Sequence, residues 1–211
     1  MCFDARSSME AFIISSIGTS ALYLSGDKTK QKMSYFWMSV ALIQLWEYFI
    51  WKNIDNKDKN RFWTIVLRTN IALQPLIGLL VLISLPSYLP KNVLIGILFI
   101  ELFALIKWLH NIYKERAQAQ TVANKHLEWP GELPTTLLDV FPTIVYFTVI
   151  VILPWFIKPL QTGLTCGMLT ALSLALAFLK LEHFNSIYSS GWGSIWCYVA
   201  ALLPFVQAMI V

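Results

Sequence analysis

The fold of this chain is constrained most by a succession of long, nearly continuous apolar runs. A helix needs about 20 mostly apolar residues to cross the hydrocarbon core of a bilayer. Seven runs in the sequence approach or reach that length. They are Ser8–Ser25, Met33–Trp51, Phe62–Leu85, Val93–Tyr113, Thr136–Ile157, Leu164–Lys180 and Ser194–Val211. Polar and apolar residues do not alternate within them, so helices are expected rather than the strands of a barrel.

The amino-acid composition also favours a protein that is embedded in lipid rather than dissolved in water. Hydrophobic residues make up 57% and charged residues 13% of the 211 residues, whereas an ordinary soluble domain has about 25% charged residues. This composition excludes a disordered chain and a nucleic-acid-binding module. We therefore predict an all-α integral membrane protein with seven transmembrane helices, which form a single multi-pass domain over residues 1–211.

The distribution of basic residues predicts the orientation of the bundle. We call the end that carries the N-terminus side A and the opposite end side B. Seven crossings put nine Lys and Arg near side A and five near side B. Those of side A are Arg6, Lys52, Lys57, Lys59, Arg61, Lys114, Arg116, Lys125 and Lys180, and those of side B are Lys28, Lys30, Lys32, Lys91 and Lys158. Because cytoplasmic loops carry an excess of Lys and Arg, we expect a cytoplasmic N-terminus.

Polar side chains within the apolar runs are the candidates for a functional site. An ionisable group at membrane depth costs at least ~2.5–3.5 kcal/mol, so its presence points to a function. Most of these groups fall in the half of the membrane next to side A, and only Glu101 lies near mid-depth. We predict a polar cavity that opens to side A and narrows toward Glu101. Its candidate lining residues are Gln44, Glu47, Arg68, Asn70, Gln74, Glu101, Asp139, Glu182 and His183.

Arg68 is the deepest basic residue on the side-A half, and it needs an anionic partner. Glu47 and Asp139 lie at a suitable depth. Gln44, Glu47 and Trp51 share one helix face because they are three and four residues apart. An Arg68–Glu47 pair can line a working cavity, or it can simply hold two helices together, and the sequence leaves both interpretations open.

One long connection, residues 114–134, follows the fourth apolar run. Its first part, Glu115–Gln120, consists of good helix formers, so we expect it to extend the fourth helix beyond the membrane. The remainder is long enough to fold over the opening of the predicted cavity at side A.

The sequence lacks the motifs that are typical of several classes of cofactor-binding and catalytic proteins. A retinal protein needs a lysine in the middle of its last helix, and Ser194–Val211 contains none. The three histidines have no spacing typical of metal ligands, and the three cysteines form neither a disulfide framework nor a CxxC motif. No hydrolase, zinc-protease or phosphate-binding motif occurs. We therefore predict no cofactor and no metal.

Three stretches carry a resemblance to a known group. The N-terminal residues 1–8 read MCFDARSS, the second apolar run holds Gln44, Glu47 and Trp51, and residues 193–202 read GSIWCYVAAL. These stretches resemble the MCFSAxAS opening, the QxxExxxW pattern and the SVWCFFAAL signature of an uncharacterised group of multi-pass membrane proteins from bacteria, algae and their large DNA viruses. The chain departs from these patterns at Asp4, where they have Ser, and at Tyr48, where they have Gly.

The resemblance implies a seven-helix membrane fold, and it implies no particular activity. The positions that its patterns single out are Cys2, Gln44, Glu47, Trp51, Trp196 and Cys197.

Three functions remain open at this point. The first is a conduit, either an ion or proton channel or a small-solute transporter, with Glu47, Arg68 and Glu101 along its path. The second is a receptor-like or structural protein whose polar pocket binds a ligand or partner. The third is an intramembrane lipid-modifying enzyme in which Glu47, Asp139 or Glu182 acts as acid or base. The expected partner is the lipid bilayer and not nucleic acid, and homo-oligomerisation is left open.

Overall fold

The computed structural model describes most of the N-terminal two thirds of the chain and one short C-terminal segment. The described residues are 4–115, 119–121, 127–128, 137–159 and 201–209, with the isolated positions 162, 167, 168 and 171. Helices account for nearly all of them. They are α1 Ala5–Leu24, α2 Lys28–Lys52, α3 Lys57–Ser84, α4 Lys91–Glu115 and α5 Leu137–Phe147, which continues as a π-helical turn, Thr148–Ile152, and a 3-10 turn, Leu153–Phe156.

The helical prediction is confirmed for the described residues, and the number of crossings is not. The first five apolar runs coincide with α1 to α5, and residues 201–209 of the seventh run are helical. The sixth run falls almost wholly outside the described residues. Two helices, Lys57–Ser84 and Lys91–Lys114, are long and apolar enough to cross a membrane. A shorter apolar helix spans Val140–Phe156.

Side-chain caps explain where the first three helices begin. The carboxylate of Asp4 accepts the Ser7 amide at 2.7 Å, and that of Asp27 accepts the Thr29 amide at 2.6 Å. The side chain of Asn56 accepts the Lys59 amide at 3.1 Å. These oxygens satisfy amides that have no partner within the first turn of a helix. Short turns separate α1 from α2, α2 from α3 and α3 from α4, so these consecutive helices pack as antiparallel neighbours.

Hydrogen bonds at the helix ends show that side A and side B are the two ends of one bundle. At side B, Lys32 near the start of α2 donates to the carbonyl of Ser84 at the end of α3. Also at side B, the Tyr88 amide donates to the Phe156 carbonyl at 2.8 Å, which joins the α3–α4 turn to the end of the α5 segment. The segment that begins with α5 therefore runs from side A to side B, like α1 and α3.

The helix at 201–209 runs in the same direction as α1. Ala201, the first described residue of this segment, packs against Ala11 in the first half of α1. Near its end, the carbonyl of Ala208 accepts a hydrogen bond from Lys30 at the start of α2, at 3.0 Å. The described C-terminal segment therefore ends at side B.

The connection after α4 differs from the prediction. Helix α4 ends at Glu115, and Gln120–Thr121 pairs with Leu127–Glu128 as a short antiparallel β-ladder. The predicted helical extension over Glu115–Gln120 is therefore wrong at Ala119 and Gln120, and residues 116–118 lie outside the described residues. The physical reason is a competing contact, because the side chain of Asn60 in α3 binds both backbone groups of Ala119, at 3.0 Å each.

Candidate functional site: a polar cluster inside the bundle

The predicted polar face of α2 points into the bundle at two of its three positions. Gln44 is 3% exposed and Glu47 is fully buried. Trp51, one turn nearer to side A, is partly buried and packs against the core cluster that contains Ile43 and Leu67. Gln44 and Glu47 therefore add polar groups to the interior of the bundle, in the half next to side A.

A second group of polar side chains joins α2, α3 and α5 near the middle of the bundle. The amide group of Asn70 donates to the backbone carbonyl of Ser39 at 2.9 Å, and that of Gln74 donates to the same carbonyl at 3.4 Å. The hydroxyl of Tyr146 donates to the side-chain oxygen of Gln74 at 2.8 Å. We call these four residues, Ser39, Asn70, Gln74 and Tyr146, the central cluster.

Arg68 lies on α3 between the two groups. It is partly buried, and the rise of an α-helix puts it roughly 16 Å from the side-A end of α3. Its pairing with Glu47 stays a prediction. Asp139 lies in the first turn of α5, at side A, and its side chain is outside the described residues. Also outside the described residues are Cys2, Glu182, His183, Trp196 and Cys197.

Glu101 faces the interior of the bundle. It is 2% exposed. One turn away on either side, Ala104 belongs to a buried apolar core cluster and the partly buried Leu98 packs against that cluster. Its Oε2 atom is buried and makes no hydrogen bond within the part of the chain that the structure describes. On the outer face of the same helix, Phe99 and Phe103 are 69% and 58% exposed. Helix α4 therefore turns its carboxyl group inward and its largest apolar side chains outward.

A cavity of about 50 Å³ lies between α2, α3 and the π-helical turn. Its lining includes Phe36, Trp37, Gly78 and Ile150 and is apolar. It lies among residues of the side-B half of α2 and α3, so it is distinct from the polar cavity predicted at side A.

Sequence reasoning missed two members of the central cluster, Ser39 and Tyr146. The hydroxyl group of Tyr146 within a long apolar run is a signal that could have been used. The carbonyl of Ser39 gives no such signal, because every residue has one.

Among the His, Cys, Asp and Glu residues of the described ranges, no group of three lies close enough to hold a metal ion. No protein-family model, no curated protein and no solved structure matches this chain.

Proposed function

We propose that this chain is a multi-pass membrane protein that conducts protons or a small cation, and that Glu101 is the group past which the conducted species moves. In this proposal the chain crosses the membrane seven times and its N-terminus is cytoplasmic. The observation that carries the proposal is the carboxyl group of Glu101, which is buried on the inward face of α4, whereas the outer face of the same helix is strongly apolar.

The direction of the chain supports an odd number of crossings. Helix α1 and residues 201–209 run the same way, from side A to side B, as Ala11–Ala201 packing and the Lys30–Ala208 hydrogen bond indicate. Two helices of the required length and hydropathy support a membrane setting. The large exposed side chains Phe99, Phe103 and Ile106 on α4 support it further, because lipid is the favourable environment for such a face.

The polar groups are spaced along the axis of the bundle, as a conduit requires. At a rise of 1.5 Å per residue, Glu47 lies about 8 Å and Gln44 about 12 Å from the side-A end of α2. Asn70 and Gln74 follow at about 20 and 26 Å from the side-A end of α3. Glu101 lies about 15 Å from the side-B end of α4. These groups therefore cover successive depths between side A and the middle of the bundle.

A conduit explains the carboxyl group of Glu101 better than a structural role does. Burying a carboxyl oxygen without a hydrogen-bond partner, as Oε2 of Glu101 is buried among the described residues, destabilises the fold, and an apolar residue of similar volume would pack at no such cost. Intramembrane carboxylates are typical of proton and cation paths. The receptor alternative gains little from the apolar cavity, because about 50 Å³ is far below the roughly 300–1,000 Å³ of a typical ligand pocket.

The test is flux through the full-length protein in liposomes. Proton and potassium uptake are followed with a pH-sensitive and a potassium-sensitive dye for the parent, Glu101→Gln and Glu47→Gln. The matched control is Glu10→Gln, which neutralises a carboxylate that is exposed and paired with Arg6. We expect flux to fall at least tenfold in Glu101→Gln and to be unchanged in Glu10→Gln. Parent flux no higher than that of empty liposomes, or full flux in Glu101→Gln, contradicts the proposal.

A further inference from the structure

The excess of positive over negative charge in this protein lies at one end of the bundle, side B. Side B carries five lysines and, among its described residues, a single acidic side chain, Asp27. The remaining eleven Lys and Arg of the chain are balanced by eleven Asp and Glu. The whole formal net charge of +4 is therefore accounted for by side B, although side A holds more basic residues.

The five lysines do not all serve the same purpose. The ammonium group of Lys32 donates to the carbonyl of Ser84, the last residue of α3, and that of Lys30 donates to the carbonyl of Ala208 in the described helical residues 201–209. Lys32 therefore stabilises the C-terminus of α3, and both ammonium groups already have a hydrogen-bond partner. The other three, Lys28, Lys91 and Lys158, are exposed and are available to a partner outside the chain.

Three exposed tyrosines lie toward the same end of the bundle as these lysines. Tyr23 and Tyr35 are 48% and 57% exposed, and their rings meet edge to face with centroids 6.2 Å apart. Tyr88 is 52% exposed, and the ammonium group of Lys158 lies 4.8 Å from its ring centroid. Tyrosine and lysine together are typical of the level at which a membrane protein meets lipid headgroups.

We infer that side B binds the phosphate groups of anionic lipids through Lys28, Lys91 and Lys158. A negatively charged lipid surface attracts each nearby lysine, and this attraction acts on the local net charge. Side A offers less attraction, because its basic residues are accompanied by acidic ones. The inference rests on the membrane setting of the proposed function, but it depends neither on conduction nor on the orientation of the chain.

The experiment is a lipid titration of the full-length protein in neutral detergent micelles. Bound phosphatidylglycerol and phosphatidylcholine are counted by native mass spectrometry for the parent, for K28Q/K91Q/K158Q and for the control K52Q/K57Q/K59Q. We expect the parent and the control to bind phosphatidylglycerol at least tenfold more tightly than phosphatidylcholine. We expect the side-B variant to lose most of this preference, and 1 M salt to abolish it in the parent, because salt screens exposed charges.

Absence of a preference in the parent, or an equal loss in both triple variants, overturns the inference. If the side-B triple variant fails to fold, the single variant Lys91→Glu replaces it, and an unchanged preference there overturns the inference as well. The titration needs no flux, so failure of the proposed conduction and failure of lipid binding are told apart by separate measurements.

Discussion

The hydroxyl group of Tyr146 donates a hydrogen bond of 2.8 Å to the side-chain oxygen of Gln74. Gln74 is 2% exposed, and its amide group faces the carbonyl of Ser39 on the other side. Tyr146 also meets Trp108 of α4 edge to face, with ring centroids 5.7 Å apart. One side chain of α5 therefore links α3 to α4 through a polar and an aromatic contact.

We expect Tyr146→Phe to lower the free energy of unfolding by about 1–2 kcal/mol, because it leaves the buried oxygen of Gln74 without its donor. Thermal unfolding in detergent measures the change. Tyr113→Phe is the matched control, because Tyr113 is 61% exposed and its replacement should change stability little. Equal effects of the two substitutions would mean that the Tyr146 hydrogen bond contributes nothing specific.

Asn60 fastens the connection after α4 to the start of α3. Its amide group binds both backbone groups of Ala119 and also the carbonyl of Ile54. We expect Asn60→Ala to destabilise the protein by roughly 2 kcal/mol, since it leaves buried backbone groups unpaired. It should also speed proteolytic cleavage between residues 116 and 136. The exposed residue Asn92 provides the control variant, Asn92→Ala, and similar cleavage rates in both variants would contradict this role of Asn60.

The helices could be predicted from the sequence because a long apolar run leaves few other options for the backbone. Glu101 could be placed inside the bundle for a similar reason, since a carboxyl group in the middle of a span is driven away from lipid. The Asn60–Ala119 contact was not predictable. It joins residues 59 positions apart and uses backbone groups that every residue carries, so only the packing of α3 against the connection brings it about.

The central cluster was predicted in part. Asn70 and Gln74 stand out in the sequence as amide side chains within an apolar run. The partners of the two amides did not stand out. Ser39 accepts through its backbone carbonyl, which every residue has, and Tyr146, whose hydroxyl group donates to Gln74, is of a residue type that also fills apolar cores.

Asp4 gives the stability of α1 a dependence on pH. The pKa of the Asp4 carboxyl group is lowered below its ordinary value of 3.8 by hydrogen bonds from Ser7. The backbone amide of Ser7 has the larger effect and its hydroxyl group the smaller one. A lowered pKa in the folded state adds stability above the unfolded-state pKa, and this stability is lost as the pH falls through the folded-state pKa. The unfolding temperature of the parent should therefore exceed that of Asp4→Asn at pH 7, and the difference should shrink toward pH 3. A difference that is constant over this range contradicts the assignment.

The N-cap that Asp4 forms can also be tested by substitution. Asp and Ser are both strong N-caps, so we expect Asp4→Ser to keep the cap and to change stability little. In contrast, we expect Asp4→Ala to destabilise the protein by about 1 kcal/mol.

Gly18 allows α1 to approach the 201–209 helix closely. A methyl group at this position would lie 2.7 Å from the ring of Phe205 and 3.1 Å from Pro204, whereas one at Gly96 in α4 would meet nothing within 4 Å. Helix propensity alone favours alanine over glycine by about 1 kcal/mol. We therefore expect Gly96→Ala to raise the unfolding temperature and Gly18→Ala to lower it. A gain in both variants would show that the close approach at Gly18 is not maintained in solution.

Glu101 should show a conflict between stability and function. Its buried Oε2 has no hydrogen-bond partner among the described residues, and Leu98 and Ala104 beside it are apolar. Glu101→Leu removes the cost of burying the carboxyl group and keeps a similar volume, so we expect the free energy of unfolding to rise by about 1–3 kcal/mol. Flux in liposomes should be lost in the same variant. Thermal unfolding and flux measured on one preparation test both statements, with Glu10→Leu as the exposed control. A destabilised Glu101→Leu variant would mean that the carboxyl group is held by contacts that favour the folded state, and that its role is structural.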